Sequence, residues 1–206
     1  MKTISFCITV CNELNEIQTL IPHLQKYKRP VDDIIVLFDS KNGTKEVHEY
    51  LFEQEEIKLV VSDEFDRDFA KWKNKLFSYS EKEYLFFIDA DEVPTHILID
   101  YIPDVLDYND DVDLFWIPRV NKVEGITEEY IKSQGWNVNE KGWVNWSDMQ
   151  GRICKNKAEL RWVGKVHETI QGAIIYSHLP SEEFLALKHF KSFEKQIKQN
   201  ELYNKI

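Results

Sequence analysis

Hydrophobic positions along this chain fall into two patterns: short unbroken runs, and stripes that recur every three or four residues. The runs are "TISFCITV" (Thr3 to Val10), "DIIVLFD" (Asp33 to Asp39), "IKLVV" (Ile57 to Val61) and "EYLFFID" (Glu83 to Asp89). They are rich in β-branched and aromatic residues and short for helices, so they predict strands covered on both faces. After the first run, Leu14, Ile17, Leu20, Ile21, Leu24 and Tyr27 lie at helical spacing, with Pro22 expected to kink or shorten the helix. Thr44 to Gln54 and Arg67 to Tyr79 read as further helices. Strand and helix alternate through this half, which predicts an α/β domain with a mostly parallel sheet flanked by helices.

Ligands of such sheets bind beyond the carboxyl ends of the strands. There this chain turns polar: Asn12 and Glu13 follow the first run, Asp39 ends the second, and Asp89 and Asp91 end the fourth. After Pro94 the alternation stops. Asp113 to Val120 predicts one more strand, and Ser133 to Asn156 reads as long loops with short strands. Ala158 to Ile170 is mixed, and Leu187 to Ile206 reads as a closing polar helix. Without repeats or linkers, the expectation is a single domain over 1–206, with a regular half (1–94) and an irregular half (95–206).

Composition narrows the function classes. With 43% hydrophobic residues the chain is ordinarily globular. Its net charge of −10 disfavours general binding to nucleic acid, whose non-specific affinity comes from phosphate neutralisation. Lys71 to Lys75, "KWKNK", is a local basic exception. No apolar run approaches the ~20 residues that span a bilayer. The first apolar stretch ends in Asn12 and Glu13, unlike a signal peptide. Cys7, Cys11 and Cys154 lack zinc-type spacing and read as reduced thiols, so the expected location is cytoplasmic.

The sharpest chemical signal is "YLFFIDADEVP" (Tyr84 to Pro94). Asp89, Asp91 and Glu92 either cap a solvated turn or hold a cation. Two carboxylates 4 Å apart repel by roughly 4 kcal/mol at an effective dielectric near 20, so their clustering points to a cation. Carboxylate oxygens suit Mg²⁺ or Mn²⁺, which complete their shells with substrate phosphates. A phosphohydrolase of the haloacid dehalogenase type also carries a DxD after an apolar strand. It fits poorly, because that motif belongs on the first strand and Asp110-Asp111 precedes an apolar run instead of ending it. A non-catalytic glycan-binding module built on Trp136, Trp143, Trp146 and Trp162 is a third reading.

In order and spacing, "ITVCNE", "VLFDSKNGTKE", "RDFAKWKN", "YLFFIDADEVP", "WVGKVHETI" and "LKHFKSFEKQ" resemble a family 2 glycosyltransferase of the GT-A fold, over nearly the whole chain. The resemblance implies a Rossmann-like nucleotide-sugar half (1–94) and an irregular acceptor half (95–206). It implies inverting transfer of a hexose or pentose, with Mn²⁺ or Mg²⁺, from a nucleotide-diphosphate sugar that is UDP-linked by family habit. By the same resemblance Thr9, Cys11 and Glu13 line base and ribose, Asp39 meets base or ribose, and Asp68 and Asn74 face the donor. Asp89, beside Ala90, holds ribose or shares the metal, Asp91 binds the metal, and His189 completes its site. Glu168, with His167 beside it, or Asp148 deprotonates the acceptor hydroxyl. Arg152 and Lys155 are expected beside the diphosphate, and Glu92 at the surface or behind the ligands. Lys73 stands where many relatives carry arginine, keeping the charge without the planar fork. The implied acceptor is a bacterial surface glycan or, in a phage-type enzyme, a hydroxymethylated base flipped out of DNA.

Overall fold

The computed structural model describes residues 1–203 and 206, and one sheet organises them. The four apolar runs form β1 (Ile4–Val10), β2 (Asp33–Asp39), β3 (Lys58–Ser62) and β4 (Tyr84–Asp89). They pair in parallel in the spatial order β3-β2-β1-β4. Parallel neighbours need long crossovers, here α1 (Leu14–Tyr27), α2 (Lys45–Phe52) and α3 (Phe69–Tyr79). Helices on both faces are what allow β1, β2 and β4 to be apolar throughout. β3 departs from that expectation: it is an edge strand, with Lys58 and Val61 exposed.

The second half supplies β5 (Glu92–Pro94), α4 (His96–Tyr108), β6 (Leu114–Glu124), α5 (Glu128–Gln134) and β7 (Asp148–Lys155). The hairpin β8 (Arg161–Val163) and β9 (Thr169–Gln171) follows, then β10 (Tyr176–His178), β11 (Leu187–Ser192) and α6 (Phe193–Tyr203). The sheet continues from β4 in the order β7-β6-β11-β5, with β7 antiparallel to both of its neighbours. Alternation along β1 sends Phe6 and Ile8 into a core shared with Ile17 and Leu20 of α1 and Leu98 of α4. Cys7 points the other way, into a second core with Leu76 of α3 and Trp162 of β8.

Three local expectations change. α1 runs through Pro22 without stopping. Pro22 and Gln18, whose carbonyl loses its donor, are both exposed, so water takes the place of the missing bond. The stretch Ser133 to Asn156 ends in an eight-residue strand, β7, at the middle of the sheet. Its polar Gln150 and Arg152, which face a site and not a plain core, mask the strand in the sequence, as does Gly151, which lies against Leu114 and Trp116. Leu187 to Ser192 is strand, not the start of a helix: Leu187 and His189 are buried while Lys188 and Phe190 are exposed, a period of two. The three cysteines are free, and among the described residues no helix is long and apolar enough to cross a membrane.

Phe86, fully buried on β4, tests this account of the core. Phe86→Ala should lower unfolding free energy by about 3–5 kcal/mol, read from urea denaturation. A change within 1 kcal/mol of zero would mean that the strand is not packed on both faces.

Candidate active site

β1 and β4 end side by side, with Thr9 paired to Asp89 in register. Asp89 is the last residue of β4, and two cations from opposite sides fix its carboxylate. Lys73 Nζ, from the inward face of α3, lies 2.7 Å from Oδ1, and Arg152 Nη2, from β7, lies 2.7 Å from Oδ2. Glu92, at the start of β5, has no exposed side-chain surface and accepts from Arg119 Nη1 at 2.9 Å and Arg152 Nη2 at 2.8 Å. Its other oxygen accepts from the Asp89 backbone N–H at 3.1 Å, which closes the turn through Ala90. Of the two positions expected for Glu92, at the surface or behind the ligands, burial excludes the first: it stands behind Asp89 and anchors the turn.

The cluster continues outward. Lys73 Nζ also reaches Glu168 Oε1 at 2.8 Å and sits 4.7 Å from the Trp162 ring centre. Arg119 donates to Asp148 Oδ2 through Nε at 2.8 Å and Nη2 at 2.6 Å. Three cations, Lys73, Arg119 and Arg152, thus face four carboxylates, Asp89, Glu92, Asp148 and Glu168. Burial opposes ionisation of Asp89, but Arg152 and Lys73 outweigh it and hold the carboxyl well below the usual range. Burial likewise opposes charge on Lys73 and Arg152, and Asp89 with its fellow carboxylates reverses it, so both stay firmly protonated.

Asp91 leaves this cluster and faces the other way. Its Oδ2 lies 3.3 Å from His189 Nε2 and 3.1 Å from Lys195 Nζ of α6. Burial resists its charge, but the His189 contact and the Lys195 ammonium hold it well below the ordinary carboxylate range. The opposite ring nitrogen of His189, Nδ1, is 3.1 Å from Asn121 Oδ1 on β6, a contact that fixes the plane of the ring and aims Nε2 at Asp91. Two cis ligands of an octahedral ion at about 2.1 Å lie about 3 Å apart, so the pair fits one Mg²⁺ or Mn²⁺. Among the described residues no third His, Cys, Asp or Glu joins them, which leaves the remaining positions to water and substrate oxygens.

The remaining expected donor-side residues occupy the strand ends but have structural partners. Glu13 Oε2 accepts from the N–H groups of Cys11 (2.8 Å) and Asn12 (3.0 Å), shaping the loop after β1, and burial raises its pKa. Burial, with Glu13 and Asp39 close by, pushes the Cys11 thiol up to about 12, so it stays neutral. Asp39 is buried and closes the β2 turn by accepting from Lys41 N, Asn42 N and Asn42 Nδ2. Asp68 is the N-cap of α3, accepting from Lys71 N at 2.9 Å. Asn74 clamps β8 through both ends of its amide, to Trp162 O and from Trp162 N.

Lys155 is displaced from the expected place. It pairs in register with Tyr84, at the far end of β4 from Asp89, and its ammonium meets Asp113 at 3.4 Å. The four tryptophans are also not one cluster. Trp143 and Trp146 pack edge-to-face at 5.0 Å, Trp136 packs on Tyr130, and Trp162 is buried against Phe87. Sequence reasoning passed over Arg119, whose signal was only a cation inside an apolar run, and Lys195, whose i+6 spacing from His189 becomes meaningful only once a strand gives way to a helix.

An open-edged α/β sheet whose parallel half ends in a DxD turn is the GT-A architecture. The sequence profile of glycosyl transferase family 2 matches residues 5–170, and the chain belongs to that family. This membership decides against the phosphohydrolase alternative. No curated protein sequence matches the chain. Among solved structures, S. aureus TarS 1–349 in complex with UDP is similar with a TM-score of 0.62 at 14% identity, covering 98% of this chain and 64% of that one. TarS 1–349 alone gives 0.61 at 15% identity over 97% of this chain and 63% of that one. Its complex with UDP-GlcNAc gives 0.51 at 19% identity over 62% of this chain and 36% of that one. The chain thus spans less than two thirds of these proteins' length, and the likeness is one of fold.

Two outcomes follow from the charge cluster. Glu92→Gln should destabilise by roughly 3–5 kcal/mol, since it leaves Arg119 and Arg152 undercompensated in a buried site. Because Asp89 and Asp91 ionise more readily folded than unfolded, their contribution is complete above about pH 4 and is withdrawn as pH falls towards their lowered folded values. Urea midpoints should therefore fall steeply below about pH 4, and Asp89→Asn should flatten that limb; an equal slope in the variant would contradict the linkage.

Proposed function

We propose that the chain is a metal-dependent, inverting glycosyltransferase that moves one sugar from a nucleotide-diphosphate sugar, UDP-linked, to the hydroxyl of a glycan acceptor. The observation that carries the reading is the pair Asp91–His189, a carboxylate oxygen and a ring nitrogen facing each other 3.3 Å apart just beyond the end of β4. Family membership supports the reaction class, and the solved complexes of TarS with UDP and UDP-GlcNAc support the donor. Trp146, half-exposed beside Trp143 and a short way before Asp148, offers a sugar ring an apolar face and supports the acceptor.

Asp91 and His189 would hold the Mn²⁺ or Mg²⁺. When bound, the ion supplies charge for the diphosphate leaving group. Asp89, kept ionised by Lys73 and Arg152, presents acceptor oxygens to the donor's ribose hydroxyls. Its two cations also stop it from drifting into the metal site as a second hard ligand.

Of the two carboxylates expected as base, Glu168 suits the task better. One of its oxygens is steadied by Lys73, while Oε2 makes no hydrogen bond among the described residues and is free to take the acceptor proton. Asp148 has Oδ2 bound twice by Arg119 and Oδ1 bound by Gln150 Nε2 at 2.8 Å, so neither oxygen is free as Glu168 Oε2 is. In this reading Asp148 is a positioning residue that aims Arg119 at Glu92. As Glu168 gains the proton, Lys73 shifts its pairing towards Asp89, so no ammonium is left unpaired in a buried site.

The test is a melting panel of UDP, GDP, CDP and dTDP, each with Mn²⁺ or with chelator. UDP with Mn²⁺ at about 100 times its dissociation constant should add about 2.7 kcal/mol of stability, and chelator or Asp91→Asn should remove it. Metal-independent stabilisation, or none by any nucleotide, would overturn the reading. Glu168→Gln should keep that nucleotide response while transfer slows by about 10²–10⁴-fold; Asp148→Asn slowing it more, with Glu168→Gln near wild type, would reverse the assignment.

A further inference from the structure

The third group at Asp91 is Lys195, in the first turn of α6. Its ammonium lies 3.1 Å from Oδ2, the same oxygen that faces His189 Nε2, and 2.9 Å from Glu16 Oε1 on α1. α6 is tied down again at its far end, where Tyr203 packs edge-on to Phe69 at the start of α3 and to His167. Lys191, one residue before the helix cap Ser192, donates to Gln199 Oε1 across the first turns. One helix therefore bridges the ends of β1 and β4 and the loop that carries Glu168, with a cation placed on the carboxylate that the proposed metal needs.

We propose that Lys195 is a tethered competitor of the divalent cation: its ammonium neutralises Asp91 in the metal-free protein, and metal binding displaces it and loosens α6 from the donor site. This rests on the reading that Asp91 and His189 hold the metal. Both cations need Oδ2, and a doubly charged ion at that oxygen would meet the ammonium at contact range, where their repulsion is greatest. Competition, not cooperation, also follows from the alternative open to Lys195. Its side chain keeps 35% of its surface exposed and Glu16 remains as a partner, so it can leave Asp91 without becoming an unpaired buried charge. Binding and unlocking are then one equilibrium: whatever the cation gains at Asp91 it loses in part to the displaced contact.

Mn²⁺ alone, without nucleotide, is titrated into the wild type, Lys195→Met, Lys198→Met and Asp91→Asn, and free Mn²⁺ is read by electron paramagnetic resonance. Lys198 lies on the same helix but pairs outward with Glu194, which makes it the control. Lys195→Met should bind Mn²⁺ about tenfold more tightly or better, Lys198→Met as the wild type does, and Asp91→Asn not at all. Equal or weaker binding by Lys195→Met, with Asp91-dependent binding intact in the wild type, overturns the competition. Absence of Asp91-dependent binding in both proteins overturns the metal reading itself. Hydrogen exchange gives a second readout that does not need the affinity: Mn²⁺ should speed amide exchange along α6 of the wild type, and slowed or unchanged exchange would contradict the displacement.

Discussion

The structure depends on one buried electrostatic constraint: Glu92, wholly out of solvent, must be matched by Arg119 and Arg152. An ionised carboxylate in such a place is costly unless paired and hydrogen-bonded. The chain meets the cost with two guanidinium groups from adjacent strands, β6 and β7, and a backbone N–H from Asp89. β7 lies between β4 and β6, which brings Arg152 to Glu92, and the Asp89 N–H to Glu92 bond closes the turn after β4. Asp89 and Asp91, two residues apart, thereby point to different sides: one into the buried cations, the other to His189.

This division gives the two aspartates different chemistry. Asp89 is a fixed anion, each oxygen held by one cation, Lys73 or Arg152, and each keeping a further lone pair. Asp91 is an anion whose partners are a buried histidine, held by Asn121, and a half-exposed lysine that can leave. A carboxylate with a removable partner is suited to binding a cation; one locked between two guanidinium or ammonium groups is suited to holding its position. The same contrast separates Glu168 from Asp148, since only Glu168 keeps an oxygen free.

The parallel half of the fold was legible because its strands are buried on both faces, and apolar runs such as Phe86-Phe87-Ile88 have few other uses. β7 and β11 were not, because their residues answer to the site: Arg152 and His189 are polar yet buried, which breaks the hydrophobic pattern that periodicity detects. Of the candidate ligands, Asp91 was legible in the clustered carboxylates and His189 only by resemblance, and the structure brings them together across nearly a hundred residues of sequence. Asp39 and Asp68 were legible as polar residues at a strand end and a helix start, where a cap and a ligand look alike in sequence, while Asn74, in the middle of α3, was singled out by resemblance alone. Nothing in the sequence marked Glu92 as central among Asp89, Asp91 and Glu92, since three carboxylates in four positions at a strand end read alike as a turn or a cation site.

The central claim is that Asp91 and His189 together hold a divalent ion against a diphosphate. The most direct measurement is pulsed electron paramagnetic resonance of Mn²⁺ with UDP and the protein. The account predicts phosphorus coupling from the diphosphate and nitrogen coupling from His189 in the same spectrum, with the nitrogen signal lost in His189→Gln. Phosphorus coupling without any nitrogen signal in the wild type would contradict it, because the ion would then be held by the nucleotide and not by this site.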